Sequence, residues 1–160
     1  MYEQKMIGYD ETMVALNAIR EHVTRELAEG TARTSCAIAI VDTFGEPVGI
    51  MRMDGAFPVN VSIALRKAKT SAIMRRDTRQ HHEAIQKTGW ELSNFGDFAV
   101  QIPGGICITE PGVSRERKPG EKGPAVYGGI GCSGRTAEGD EELSFIGLRA
   151  MQKVIWGHSD

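Results

Sequence analysis

The stretch from Ala125 to Gln152, AVYGGIGCSGRTAEGDEELSFIGLRAMQ, constrains the fold of this chain more than any other. A short apolar run enters a turn carrying Gly128, Gly129, Gly131 and Gly134, and the turn opens an acidic helix start and then an amphipathic helix. Glycine admits positive φ and lets another group come close to the backbone, at an entropic cost. Thr136 has the chemistry of an N-cap, and Glu138, Asp140, Glu141 and Glu142 fill the first turns, where carboxylates suit the helix dipole. Strand, glycine loop and helix start together make the leading candidate site. The alternative is a tight packing turn between a central strand and its helix.

The rest of the chain reads in order around that unit. Asp10 can cap a first helix in which Met13, Leu16, Ile19, Val23 and Leu27 recur at helical spacing, and Gly30 supplies its stop. His22 lies at the edge of that apolar stripe. Ser35 to Val41 reads as a buried strand, Asp42 to Glu46 as a turn, and Pro47 to Met53 as the return strand of a hairpin. Asp42 is expected to accept backbone hydrogen bonds in that turn.

A second helix is expected over Val59–Arg76, with the small-residue stripe Val61, Ala64, Leu65, Ala68 and Ala72 lying close to a sheet, partner helix or subunit. A third runs from Asp77 or Thr78 to Thr88 and is closed by Gly89. It carries His81 and His82, which point about 100° apart and cannot easily share one metal. No metal site is expected. Phe98–Ile102 reads as a third strand, Pro103-Gly104-Gly105 as a turn, Ile106–Thr109 as a fourth strand, and Tyr127 onward as a fifth. The fold class is therefore α+β: an antiparallel sheet of about five strands flanked by helices, forming one α/β/α domain over residues 1–160. Glu110–Pro124 is a long hydrophilic connection, of the kind that is either mobile or functional.

Composition narrows the function classes. With 25% charged residues and a formal charge of −2, nothing favours nucleic acid or an anionic membrane as a partner. The basic run Arg66, Lys67, Lys69, Arg75 and Arg76 lacks the interleaved aromatics of a single-strand platform. Cys36, Cys107 and Cys132 are far apart, odd in number and set in apolar runs, which fits free buried thiols. The opening MYEQKMIGYDETM lacks the apolar core of a secretion signal, so the cytoplasm is the expected compartment.

Three groups of residues together resemble the GlcG/HbpS-like family, also described as the haem-degrading domain and found as the C-terminal part of PduO-type proteins. They are Ala37–Asp42 with Met51–Ala56, then Ile63–Ala72, then Pro103-Gly104-Gly105 with Gly129–Gly134 and Asp140-Glu141. The resemblance implies an α/β/α domain that assembles into dimers or larger homo-oligomers, and haem or corrinoid-related ligands in some relatives. It makes His22 the candidate axial ligand. The chain departs from the family pattern in its longer 110–124 loop, in Cys132 and in the arginine that follows Gly134.

Three functions follow as expectations. The first is a haem-binding or related small-ligand-binding protein, with Lys67 or Arg135 near the propionates. The second is an isomerase or lyase acting on an oxygenated carboxylate, in which Lys67 stabilises the developing charge and Asp140 or Glu141 moves a proton. The third is a structural or assembly partner of an enzyme. Under the first two, Gly104, Gly105, Gly129, Gly131, Ser133, Gly134 and Arg135 hold the ligand alongside Lys67.

Overall fold

The computed structural model describes residues 1–118 and 120–158. Helix α1 (Tyr9–Glu29) is capped two residues earlier than the sequence suggests: the Gly8 N–H donates to Glu11 Oε2 at 2.9 Å, and Asp10 lies inside the first turn. Thr12, Ala15, Leu16, Ile19 and Val23 form its buried stripe, and Gly30 ends it at φ 73°. Strands β1 (Ala37–Asp42) and β2 (Pro47–Arg52) make the expected hairpin. Asp42 Oδ1 accepts from the N–H groups of Phe44 (2.8 Å) and Glu46 (3.0 Å), which fixes the turn. Helix α2 (Pro58–Met74) stops short of Arg76 because Arg75 takes a left-handed conformation at φ 56°. Helix α3 (Thr78–Thr88) closes on Gly89, and a 3-10 turn follows at Ser93–Phe95. Strands β3 (Gly105–Ile108) and β4 (Gly128–Ser133) then lead into α4 (Ala137–Trp156), whose Thr136 side chain accepts from Gly139 N.

The sheet is antiparallel in the order β2-β1-β4-β3, and it has four strands among the described residues where about five were expected. The segment predicted as a third strand, Phe98–Ile102, is irregular. Its backbone groups are already taken by helix side chains. Thr70 Oγ1 donates to Phe98 O and accepts from Val100 N, Arg66 Nη2 donates to Ala99 O, and His82 Nδ1 lies 3.1 Å from Gln101 O. These peptide groups are half-buried, and here side chains supply the partners a ladder would have supplied.

The two sheet faces are unlike. Ile38, Ile40, Ile106, Ile108, Ile130 and Cys132 project into the thicker core against α1 and α4. Ala37, Ala39 and Val41 meet Ala64, Ala68 and Ala72 of α2 on the other face. With so little side chain between them, α2 lies almost on the sheet backbone. The long 110–124 connection is pinned to this frame at Arg115. Its guanidinium makes a bidentate pair with Asp77 at 2.7 Å, donates to Cys107 O and Thr109 Oγ1, and stacks 5.3 Å from the Phe145 ring. Position 119 of that loop lies outside the described residues.

Candidate functional site

Lys67 sits on the sheet-facing stripe of α2, where a charged residue would ordinarily be excluded. Its ammonium has 1% residue exposure and reaches the point where β4 ends and α4 begins. There Nζ donates to Asp140 Oδ2 at 2.8 Å and to Cys132 O at 3.0 Å. Asp140 stands in the first turn of α4, and its other oxygen accepts from Arg135 N at 2.9 Å. Burial pushes the Asp140 carboxyl above the usual carboxylate range, against the pull of Lys67 and the backbone N–H groups of Arg135 and Gly134. A pair this deep holds only when each member keeps its partner.

The glycines make room for this arrangement. A Cβ on Gly104, at φ 119°, would lie 2.8 Å from Lys67 Nζ and 2.9 Å from Asp140 Cβ. A Cβ on Gly131 would strike the Ala64 carbonyl oxygen, one on Gly129 the Ala68 carbonyl oxygen, and one on Gly105 the Lys67 carbonyl oxygen. Gly134 lies against the Ser35 carbonyl and Cys36. Gly105, Gly129 and Gly131 are thus filled by α2 itself, which is the packing alternative weighed for the glycine cluster.

The structure therefore brings Lys67, Asp140, Gly104, Gly131 and the Arg135 backbone into one cluster, with Ser133 at its rim. Besides Gly105 and Gly129, which α2 closes off, it leaves two of the sequence candidates elsewhere. Glu141 makes a bidentate pair with Arg79 of α3, at 2.8 and 2.9 Å, and faces away from Lys67. His22 lies in a separate groove between α1 and α4, of about 320 Å³, with Ala18, Arg25, Ile146, Arg149 and Lys153. A chain of contacts joins the two places. His22 Nε2 is 3.3 Å from Glu26 Oε1, and Glu26 Oε2 is 2.6 Å from Arg135 Nη2. The Arg135 guanidinium holds the Glu26 carboxyl below its ordinary range.

Above the Lys67–Asp140 pair an open cleft of about 310 Å³ is walled by Phe57, Ile63, Ile102 and Ala137, with Asn60 and Ser133 beside the pair. Sequence reasoning missed Asn60, which follows Pro58 at the start of α2 and carried no local signal. It also missed the Asp77–Arg115 pair, whose members are 38 residues apart. Helices α1 to α4 include none long and apolar enough to cross a membrane.

The family described as haem degrading protein HbpS-like matches residues 10–149. An uncharacterised 15.0 kDa protein from the dhaT–dhaS intergenic region of Citrobacter freundii is 28% identical over 120 residues, covering 72% of this chain and 75% of that protein. Protein ORFY of Klebsiella pneumoniae has a TM-score of 0.76 at 21% identity, over 94% of each chain. A PduOC:heme complex has a TM-score of 0.71 at 21% identity, over 91% of this chain and 94% of that one. At such identities the two structures establish a shared fold.

Proposed function

The chain belongs to the HbpS-like haem-degrading family, and from that premise we propose that it binds haem, or a closely related flat ligand, in the α1–α4 groove with His22 as the iron ligand. One observation carries the reading: His22 shares its groove with three cations, Arg25, Arg149 and Lys153, over an apolar floor of Ala18, Ile146 and Ala150. An imidazole nitrogen suits haem iron. The cations suit two propionates, and the small apolar residues suit the macrocycle face. The donor set fits the group. No thiolate competes as a ligand, because Cys36, Cys107 and Cys132 are all buried. Ligation through Nε2 takes the ring from Glu26, which stays paired with Arg135.

The groove is at the small end of the range for ligand pockets and is open on its outer side. In this reading a second copy of the chain covers the exposed face of the ligand, so binding and homo-oligomer formation go together. Titration of the purified chain with ferric haem tests the proposal. A saturable Soret band that is lost in His22→Ala, with the fold retained, is the expected result. No saturable band under either oxidising or reducing conditions would overturn it.

A further inference from the structure

The cleft over Lys67 and Asp140 is not used by that reading, and its chemistry is different. Lys67 has three N–H donors, and two of them are spent on Asp140 Oδ2 and Cys132 O. The third has no protein acceptor among the described residues, although the side chain is 2% exposed. Asn60, 8% exposed, repeats the pattern. Its Oδ1 lies 3.5 Å from Ser133 Oγ, and its amide nitrogen has no protein acceptor among the described residues. A buried charged donor left short of acceptors is costly, and the Asn60 amide stands ready beside it. Both residues border the same cleft, so an acceptor arriving there satisfies them together.

Two further features set the sign of that acceptor. Helix α2 begins at the cleft rim with Phe57 as N-cap, no side chain capping its first turn and no acidic residue in it. Its N-terminal partial charge is therefore available to an anion. The start of α4 is different, because Thr136 caps Gly139 N and Asp140 takes the Arg135 N–H. Asp140 itself is matched by Lys67, whereas Arg135, which also borders the cleft, lies 2.6 Å from Glu26 Oε2 yet keeps Nε and Nη2 without a hydrogen-bond partner among the described residues. Donors are thus in excess at the cleft floor. The walls are apolar and exposed, with Phe57 at 71% and Ile102 at 43%.

We propose that this cleft is a second binding site, spatially separate from the His22 groove, for the carboxylate of a small organic acid with a short apolar tail. The carboxylate accepts from the free Lys67 N–H and the Asn60 amide, and the tail covers Phe57, Ile63 and Ile102. The apolar walls at Phe57, Ile63 and Ile102 favour an acid with a hydrocarbon tail over inorganic phosphate.

Calorimetric titration of the full chain with butyrate, against butyramide and butylammonium, tests the assignment. Butyrate is expected to bind saturably, and at least about tenfold more tightly than either isostere. Binding is expected to vanish when the pair is replaced together, Lys67→Met with Asp140→Leu, an exchange that leaves no lone buried charge. Ile63→Trp, which fills the cleft from the α2 side and leaves the pair intact, is also expected to abolish it and serves if the double replacement does not fold. His22→Ala should leave butyrate binding unchanged, so failure of the haem reading and failure of this one are separable. Equal binding of butyramide, no saturable heat with butyrate, or undiminished binding in Ile63→Trp would each overturn the proposal.

Discussion

Gly131→Ala is the sharpest test of how α2 sits on the sheet. The added Cβ would strike the Ala64 carbonyl oxygen and lie 2.7 Å from Ala68 N and 3.0 Å from Lys67 Cβ. Two of those three atoms are helix backbone and cannot rotate away, so α2 must lift as a body. Lifting it loosens Ala64, Ala68 and Ala72 from Ala37, Ala39 and Val41 together. Overpacking typically costs about 1–3 kcal/mol, and an obstruction by backbone belongs at the upper end, about 3 kcal/mol. For a chain of this length that corresponds to a fall in Tm of about 6–12 °C. Gly139→Ala is the control. Its Cβ meets only side-chain atoms of Arg135 and Thr136, the nearest at 3.2 Å, and alanine favours the helix. Thermal unfolding followed by circular dichroism reads both variants. If Gly131→Ala melts together with the wild type and the control, the close approach of α2 to β4 is wrong.

Three other outcomes follow from buried groups. His81 is buried with its Nε2 unpartnered, and burial, aided by Arg76, pulls its pKa down to about 4 from 6.5. The unfolded chain then binds that proton more readily, so stability is lost as pH falls from about 6.5 towards 4, by up to about 3 kcal/mol. His81→Leu should flatten this part of the acid-unfolding profile, and an unchanged slope contradicts the assignment. Arg115→Ala leaves the Asp77 carboxylate, at 7% exposure, without its guanidinium and should cost about 3 kcal/mol. It should also speed tryptic cleavage after Arg117 and Lys122, while equal digestion rates would show that Arg115 does not hold the loop. Burial raises the pKa of all three thiols, that of Cys36 to about 12, so an aromatic disulfide reagent should label none of them before unfolding. Rapid labelling of the native chain would contradict that burial.

The regular parts of the fold were legible because they rest on local signals. Helical spacing in α1, glycine stops at Gly30 and Gly89, the Thr136 cap and the Asp42 turn are each decided within a few residues. Phe98–Ile102 misled because its alternation looks like a strand, whereas Thr70, Arg66 and His82, at least 16 positions away, claim its backbone. The glycines advertised close approach without naming what approaches. In the structure it is the backbone of α2 at Gly105, Gly129 and Gly131, and the Lys67 ammonium at Gly104. Lys67 and Asp140 are legible as members of one candidate site, but the small-residue stripe read from the spacing does not include Lys67, which the glycines of β4 let lie against the sheet. Glu141, one position on, turns about 100° to Arg79, a direction that spacing on the helix permits but does not select. The links from His22 through Glu26 to Arg135 depend on how α1 lies beside the glycine loop, and no local pattern reports that.

Native mass spectrometry with absorbance, on protein purified from its own host, tests the central claim most directly because it reports ligand and subunit number at once. The haem reading predicts an even number of chains carrying one haem each, with a Soret band that disappears in His22→Ala. A ligand-free monomer that stays ligand-free when haem is added, or haem retained in full by His22→Ala, would contradict it.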